Sequence, residues 1–68
     1  MLSPAVTRFT RLPEVCRITG LSRTHIYRLV SKGKFPKHIR LTETTTAWVE
    51  AEVQQWCEDR IAASRGGE

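Results

Sequence analysis

Gly20 and Ser22, with a single residue between them, constrain this chain more than any other feature. Glycine enters the left-handed backbone region without a Cβ penalty and so ends a helix. A serine hydroxyl accepts a hydrogen bond from a free backbone N–H and so begins one. One helix therefore stops and another starts within a turn of three or four residues. Upstream, Pro13 suits a first helical position, because its missing N–H would be unsatisfied there anyway and its ring pushes Leu12 out of helical geometry. Leu12, Val15, Cys16 and Thr19 recur at i, i+3, i+4 and i+7 as an inward stripe, with Ile18 beside it. Downstream, Ile26, Leu29 and Val30 define a second helix, which Gly33 terminates in the same left-handed way. The other face of that helix carries Arg23, Thr24, His25, Tyr27, Arg28, Ser31 and Lys32.

Cys16, Gly20 and Ile26 stand in the spacing i, i+4, i+10. A bulky side chain at Cys16 would separate the helices, a Cβ at Gly20 would strain the turn, and a polar group at Ile26 would open the core. This small, glycine, branched-apolar triplet is the pattern of a helix-turn-helix. After Phe35-Pro36, residues 37–42 alternate as His38, Ile39, Arg40, Leu41, the period of a half-buried strand. Residues 45–48, rich in threonine, make a return strand; the connection 42–44 lacks glycine, which leaves its turn type open. Val49, Val53, Trp56, Cys57 and Ile61 then mark an amphipathic third helix, with Glu50 and Glu52 at its positive N-terminal end. The expected fold is mainly α with a small β-hairpin: a winged helix-turn-helix of three helices and a two-stranded wing. Residues 1–8 read as a flexible arm with a short extended piece around Phe9, residues 9–63 as the domain, and residues 64–68 as a flexible tail. Trp48, Trp56, Phe35 and Phe9 are assigned to core packing, and Cys16 and Cys57 to two buried thiols.

A chain of 68 residues buries only about 60% of its unfolded surface. It leaves little room for the pocket of roughly several hundred Å³ that a substrate needs. No nucleophile and base, and no carboxylate pair, has a recognisable catalytic spacing, so an enzyme is not expected. Lys and Arg number 11 against 7 Asp and Glu, a net charge of +4. Their distribution is uneven: residues 15–42 contain no acid, yet carry Arg17, Arg23, Arg28, Lys32, Lys34, Lys37 and Arg40. Residues 48–63 hold Glu50, Glu52, Glu58 and Asp59 against the single base Arg60. Such segregation points to a polyanionic partner on the side of the second helix. The cysteines are 41 positions apart, and neither His25 nor His38 has a second ligand at i+3 or i+4, so no metal and no cofactor is expected. With neither a membrane-length apolar run nor the pattern of a signal peptide, the expected location is the bacterial cytoplasm, at the nucleoid.

In a helix-turn-helix the second helix enters the major groove of duplex DNA with its N-terminal residues toward base edges. Arg23, Thr24 and His25 come first. Arg28 follows one turn later; its planar fork suits guanine O6 and N7, with a phosphate contact as the alternative. Ser22 is a cap whose hydroxyl can also face phosphate. Tyr27 either bonds a phosphate through its hydroxyl or lies against the wing. Lys32, Lys34, Lys37 and Arg40 are placed to follow the DNA backbone or the minor groove.

Residues 11–65 resemble the AlpA family of phage and prophage regulators, small relatives of MerR-type winged helices and of excisionases. The resemblance rests on Arg11-Leu12-Pro13-Glu14-Val15, Thr19-Gly20-Leu21-Ser22-Arg23 and Ile26-Tyr27-Arg28. It continues in Gly33-x-Phe35-Pro36-Lys37 and Trp48-x-x-x-Glu52-Val53-x-x-Trp56. It implies a MerR-like winged fold, binding to DNA at operator or attachment-site repeats through Ser22, Arg23, Thr24, Tyr27 and Arg28, and a wing contact at Lys37. Control of prophage genes is the implied role, by monomers or a cooperative assembly on DNA, with integrase or RNA polymerase as candidate protein partners. An excisionase that bends attachment-site DNA uses the same contacts, and an adaptor that blocks another regulator is a further alternative. The chain departs from the family at the wing tip, where Glu43-Thr44-Thr45-Thr46 replaces an Arg- or Gly-rich sequence and sets a carboxylate against phosphate.

Overall fold

Both glycine stops are present in the computed structural model, which describes residues 7–66: Gly20 has φ +77° and Gly33 φ +71°. Helix α1 (Leu12–Thr19) begins one residue before Pro13, from an extended Arg11 that offers no side-chain cap. At its end the Gly20 N–H donates to Cys16 O at 2.7 Å. The Thr19 hydroxyl donates to Val15 O at 2.9 Å and accepts the Leu21 N–H at 3.2 Å, which satisfies polar groups across the turn. Helix α2 (Arg23–Ser31) starts at the cap Ser22. It closes through Gly33 N–H to Val30 O at 3.0 Å and Lys34 N–H to Leu29 O at 2.8 Å, the paired bonds that a left-handed glycine permits after a helix.

Strands β1 (Phe9–Thr10), β2 (Ile39–Arg40) and β3 (Thr46–Val49) form one antiparallel sheet in the order β1-β3-β2. The expected hairpin is therefore joined by a third strand, the extended piece around Phe9, which pairs Phe9 with Val49 and Thr10 with Trp48. Glu50 N–H extends this edge to Arg8 O at 2.8 Å. The wing loop closes without glycine: Leu41 N–H donates to Thr45 O at 2.7 Å, and the Thr42 hydroxyl accepts the Thr44 N–H at 3.3 Å. A threonine hydroxyl thus supplies the turn bond that a left-handed residue often makes unnecessary.

Val15, Ile26, Phe35, Trp48 and Val53, one each from α1, α2, the segment after α2, β3 and the third helix, make the core, with Leu12, Cys16, Ile18, Leu21, Leu29, Val30 and Trp56 around it. Helix α3 (Glu50–Gly66) contributes Val53 to this core. Trp48 and Trp56 also use their polar edges. Their Nε1–H groups donate to Pro36 O at 2.8 Å and Lys34 O at 2.7 Å, fastening the segment after α2 to β3 and α3.

Several expectations are corrected here. Ile39 pairs with Ala47 and so shares its side of the sheet, opposite Trp48. The expected alternation of burial over residues 38–41 is not kept: Ile39 and Leu41 are 39% and 40% exposed and Arg40 is exposed as well, whereas His38 is half-buried with its ring 5.4 Å from that of Trp48. In β3, Trp48 on one side of the sheet and Ala47 on the other are both fully buried. Phe9, on an edge strand, is 47% exposed and not a core residue. Cys16, Cys57 and Trp56 are half-buried, and both thiols are free. Val49 ends β3 and α3 starts at Glu50; α3 continues past residue 63 to Gly66, leaving Ile61 51% exposed beyond the core. Of the arm expected over 1–8, residues 1–6 lie outside the described residues, as do residues 67 and 68 of the tail.

A Cβ added at Gly20 meets nothing within 4 Å, so Gly20→Ala probes the backbone alone. The substitution should lower stability by about 1 to 2 kcal/mol from left-handed strain, read as a lower urea midpoint with an unchanged slope.

Candidate nucleic-acid interface

The direction of each α2 side chain follows from Ile26, which is buried, and from Leu29 and Val30, which are half-buried. At about 3.6 residues per turn, Thr24, Arg28 and Ser31 point straight away from that apolar stripe. All three are exposed. Arg23 and Tyr27 lie on one flank and His25 and Lys32 on the other. Tyr27 faces the sheet: its ring centroid is 5.8 Å from His38, edge-on, and 6.0 Å from Trp48. Of the two roles open to it, packing against the wing is the one these contacts describe, with part of the ring still exposed. His25 turns toward α3 and lines a shallow groove with Leu21, Leu29, Lys34, Trp56 and Arg60.

Ser22 sits at the helix entrance, exposed, its Oγ accepting the His25 N–H at 3.2 Å. Lys32 occupies the C-terminal cap of α2, and Lys34 follows Gly33, exposed, with its carbonyl taken by Trp56. Lys37 is exposed at the approach to β2. Arg40 pairs with Thr46, which places it on the Trp48 side of the sheet, the side that Tyr27 meets. The ten residues thus fall into two groups. Thr24 and Arg28 lie on the front of α2, with Ser22 at its entrance, Arg23 and Tyr27 on the flank toward the sheet, and Lys37 and Arg40 bordering that side. His25, Lys32 and Lys34 lie around the far flank and the end of the helix.

The separation of charge along the sequence is only partly kept in space. Among the described residues the only ion pair is Arg17 with Glu14, at 3.2 Å on the outside of α1. Arg23, Arg28, Lys32, Lys34, Lys37 and Arg40 are all exposed and carry no carboxylate partner within ion-pair distance among those residues. Lys34 nevertheless lines a groove with Glu52 and Asp59 of α3, where Asp59 accepts a hydrogen bond from Gln55 at 2.9 Å and Arg60 lies 5.5 Å over the Trp56 ring. Six unneutralised bases around one helix make a positive surface on which an anion releases counterions at no cost in broken salt bridges. Among the described residues no group of three or more His, Cys, Asp or Glu side chains could hold a metal ion, and no helix is long and apolar enough to cross a membrane.

Sequence reasoning did not single out His38, which its alternation pattern assigned to a solvent face, or the centrality of Ser31, which lies in line with Thr24 and Arg28. The helical period carried the second signal; nothing in the sequence carried the first, because it depends on which residue of β3 opposes β2.

A short helix, a glycine turn, an exposed basic helix, and a three-stranded sheet with a third helix behind them define a winged helix-turn-helix, a fold class of DNA-binding proteins. Within that class the chain belongs to the AlpA family: residues 8–61 match the family described as Prophage CP4-57 regulatory protein (AlpA). It is 45% identical over 60 residues to the uncharacterized protein ORF88 of Enterobacteria phage P4, covering 88% of this chain and 68% of that protein. It is 32% identical over 66 residues to the DNA-binding transcriptional activator AlpA of Escherichia coli (strain K12), covering 88% of this chain and 94% of that protein. No solved structure matches the chain.

Because the Ser22 hydroxyl is the side-chain cap of α2, Ser22→Ala should cost about 1 kcal/mol of stability and Ser22→Gly only a few tenths. Urea unfolding of the two variants side by side checks the order.

Proposed function

We propose that this chain is a sequence-specific DNA-binding regulator of phage or prophage genes that seats α2 in the major groove. The observation that carries the reading is the exposed front of α2, capped by Ser22 and surrounded by bases without carboxylate partners. It is supported by the similarity to the Escherichia coli relative, a DNA-binding transcriptional activator.

On this reading Thr24, Arg28 and Ser31, the outermost residues of α2, meet base edges. Arg28 is the long one of the three and offers two parallel N–H donors to guanine O6 and N7. Arg23 on one flank, and His25 and Lys32 on the other, meet the two phosphate ridges that border the groove, while Tyr27 packs against the wing. Lys34, Lys37 and Arg40 add backbone contacts that fix register and carry no sequence information of their own. Glu43 stands at the exposed tip of the wing, so the wing approaches DNA by its base, through Lys37 and Arg40, while the tip stays clear of phosphate. The place of action is the nucleoid of the bacterial host, on repeated sites that offset the weakness of a single small module.

Selection of bound sequences from random duplexes, followed by footprinting of the winner, tests the reading; sequence-indifferent binding would refute it. Arg28→Ala should weaken binding at the selected site by about 1 to 3 kcal/mol and relax the preference at one base pair. An equal loss on random DNA would instead make Arg28 a phosphate contact. Lys37→Ala should reduce the slope of log affinity against log salt by about 0.9, and an unchanged slope would remove Lys37 from the interface.

A further inference from the structure

We infer that His38 is an additional DNA-backbone contact, donating its Nε2–H to a phosphate oxygen at the seam between α2 and the wing; this rests on the reading of α2 as the DNA-binding helix. The ring of His38 is held by two aromatic neighbours, Trp48 at 5.4 Å and Tyr27 edge-on at 5.8 Å. Those two are themselves 6.0 Å apart, so three rings from α2, from the segment before β2 and from β3 fix one another. Nδ1 is enclosed and has no hydrogen-bond partner among the described residues. A neutral imidazole carries one proton, on Nδ1 or on Nε2, and an imidazolium carries both. Of the two neutral tautomers, the one with its proton on Nδ1 would enclose an N–H without an acceptor, an arrangement folded proteins avoid. The proton therefore belongs on Nε2, at the open edge of a half-buried ring.

That edge is a donor with a fixed direction and no acceptor of its own among the described residues. The charged residues nearest in sequence are Lys37 and Arg40, both basic, and Tyr27 brings the flank of α2 that also carries Arg23. An N–H in such surroundings is matched by an anionic oxygen. Its position on the Tyr27 flank, away from the line of Thr24, Arg28 and Ser31, assigns it to a phosphate ridge and not to a base. His38 would thus report that α2 and the wing are docked together, since Tyr27 and Trp48 orient its ring.

Long-range proton–nitrogen NMR of the free protein reads the tautomer directly: the proton is expected on Nε2, and a proton on Nδ1 overturns the inference. His38→Phe keeps an aromatic ring in the slot and removes the donor. With unchanged near-ultraviolet dichroism, it should bind the selected duplex and random duplex alike about tenfold more weakly, because one hydrogen bond to a charged group is lost. His38→Gln, which restores an N–H donor, should recover part of that loss; a folded Gln variant as weak as the Phe variant makes the role one of packing and overturns the inference. If His38→Phe binds as the parent does while Arg28→Ala does not, the His38 contact is refuted and the α2 reading stands. If the unaltered protein leaves duplex DNA unbound at low salt, both fall.

Discussion

A helix cannot run on through a residue at φ +77°, and where that stop falls decides which side chains α2 presents. Gly20 ends α1 in open space with its N–H on Cys16 O, and Ser22 restarts the chain two residues later with its own oxygen on the His25 N–H. The stripe of Ile26, Leu29 and Val30 then sets the rotation of α2 about its axis. With Ile26 in the core, Arg28 lies two residues, about 200°, further round the helix and faces outward.

The second constraint is the thinness of the core. Val15, Ile26, Phe35, Trp48 and Val53 are a small set, and a domain of this size cannot hold its segments by apolar burial alone. The two indole N–H groups compensate by bonding the carbonyls of Lys34 and Pro36, so the segment leaving α2 is fixed at both ends of Phe35. Phe35 in turn meets both indoles, its centroid 4.8 Å from Trp56 and 6.5 Å from Trp48. These contacts link the basic helix to the sheet and to α3. They let the basic surface behave as one rigid unit, as recognition of a rigid duplex requires.

Electrostatics and packing divide the molecule between them. Residues that hold the fold are apolar or use backbone carbonyls, and the single ion pair among the described residues, Arg17 with Glu14, lies within α1. The bases of α2 and the wing therefore contribute nothing to folding through ion pairs among the described residues. Their mutual repulsion is a small stability burden that an anionic partner relieves.

How much of this was legible beforehand depends on the range of the interactions involved. The two glycine stops, the Ser22 cap, the helical stripes and the segregation of charge are local features, readable from spacings of a few residues, and the winged helix-turn-helix class and the front of α2 follow from them. The third strand was faint because β1 is two residues long and is defined only by its partner, Val49 and Trp48 of β3. The exposure of Ile39 and Leu41, the exposure of Phe9 and Ile61, and the enclosure of His38 arose in the same way. By itself the sequence determined where helices begin and end and where positive charge lies, because those depend on backbone conformation and residue type at short range. Only the tertiary structure decided which side of the wing faces inward, because a period of two is equally well satisfied either way up until the bulk of Trp48 claims one side of the sheet.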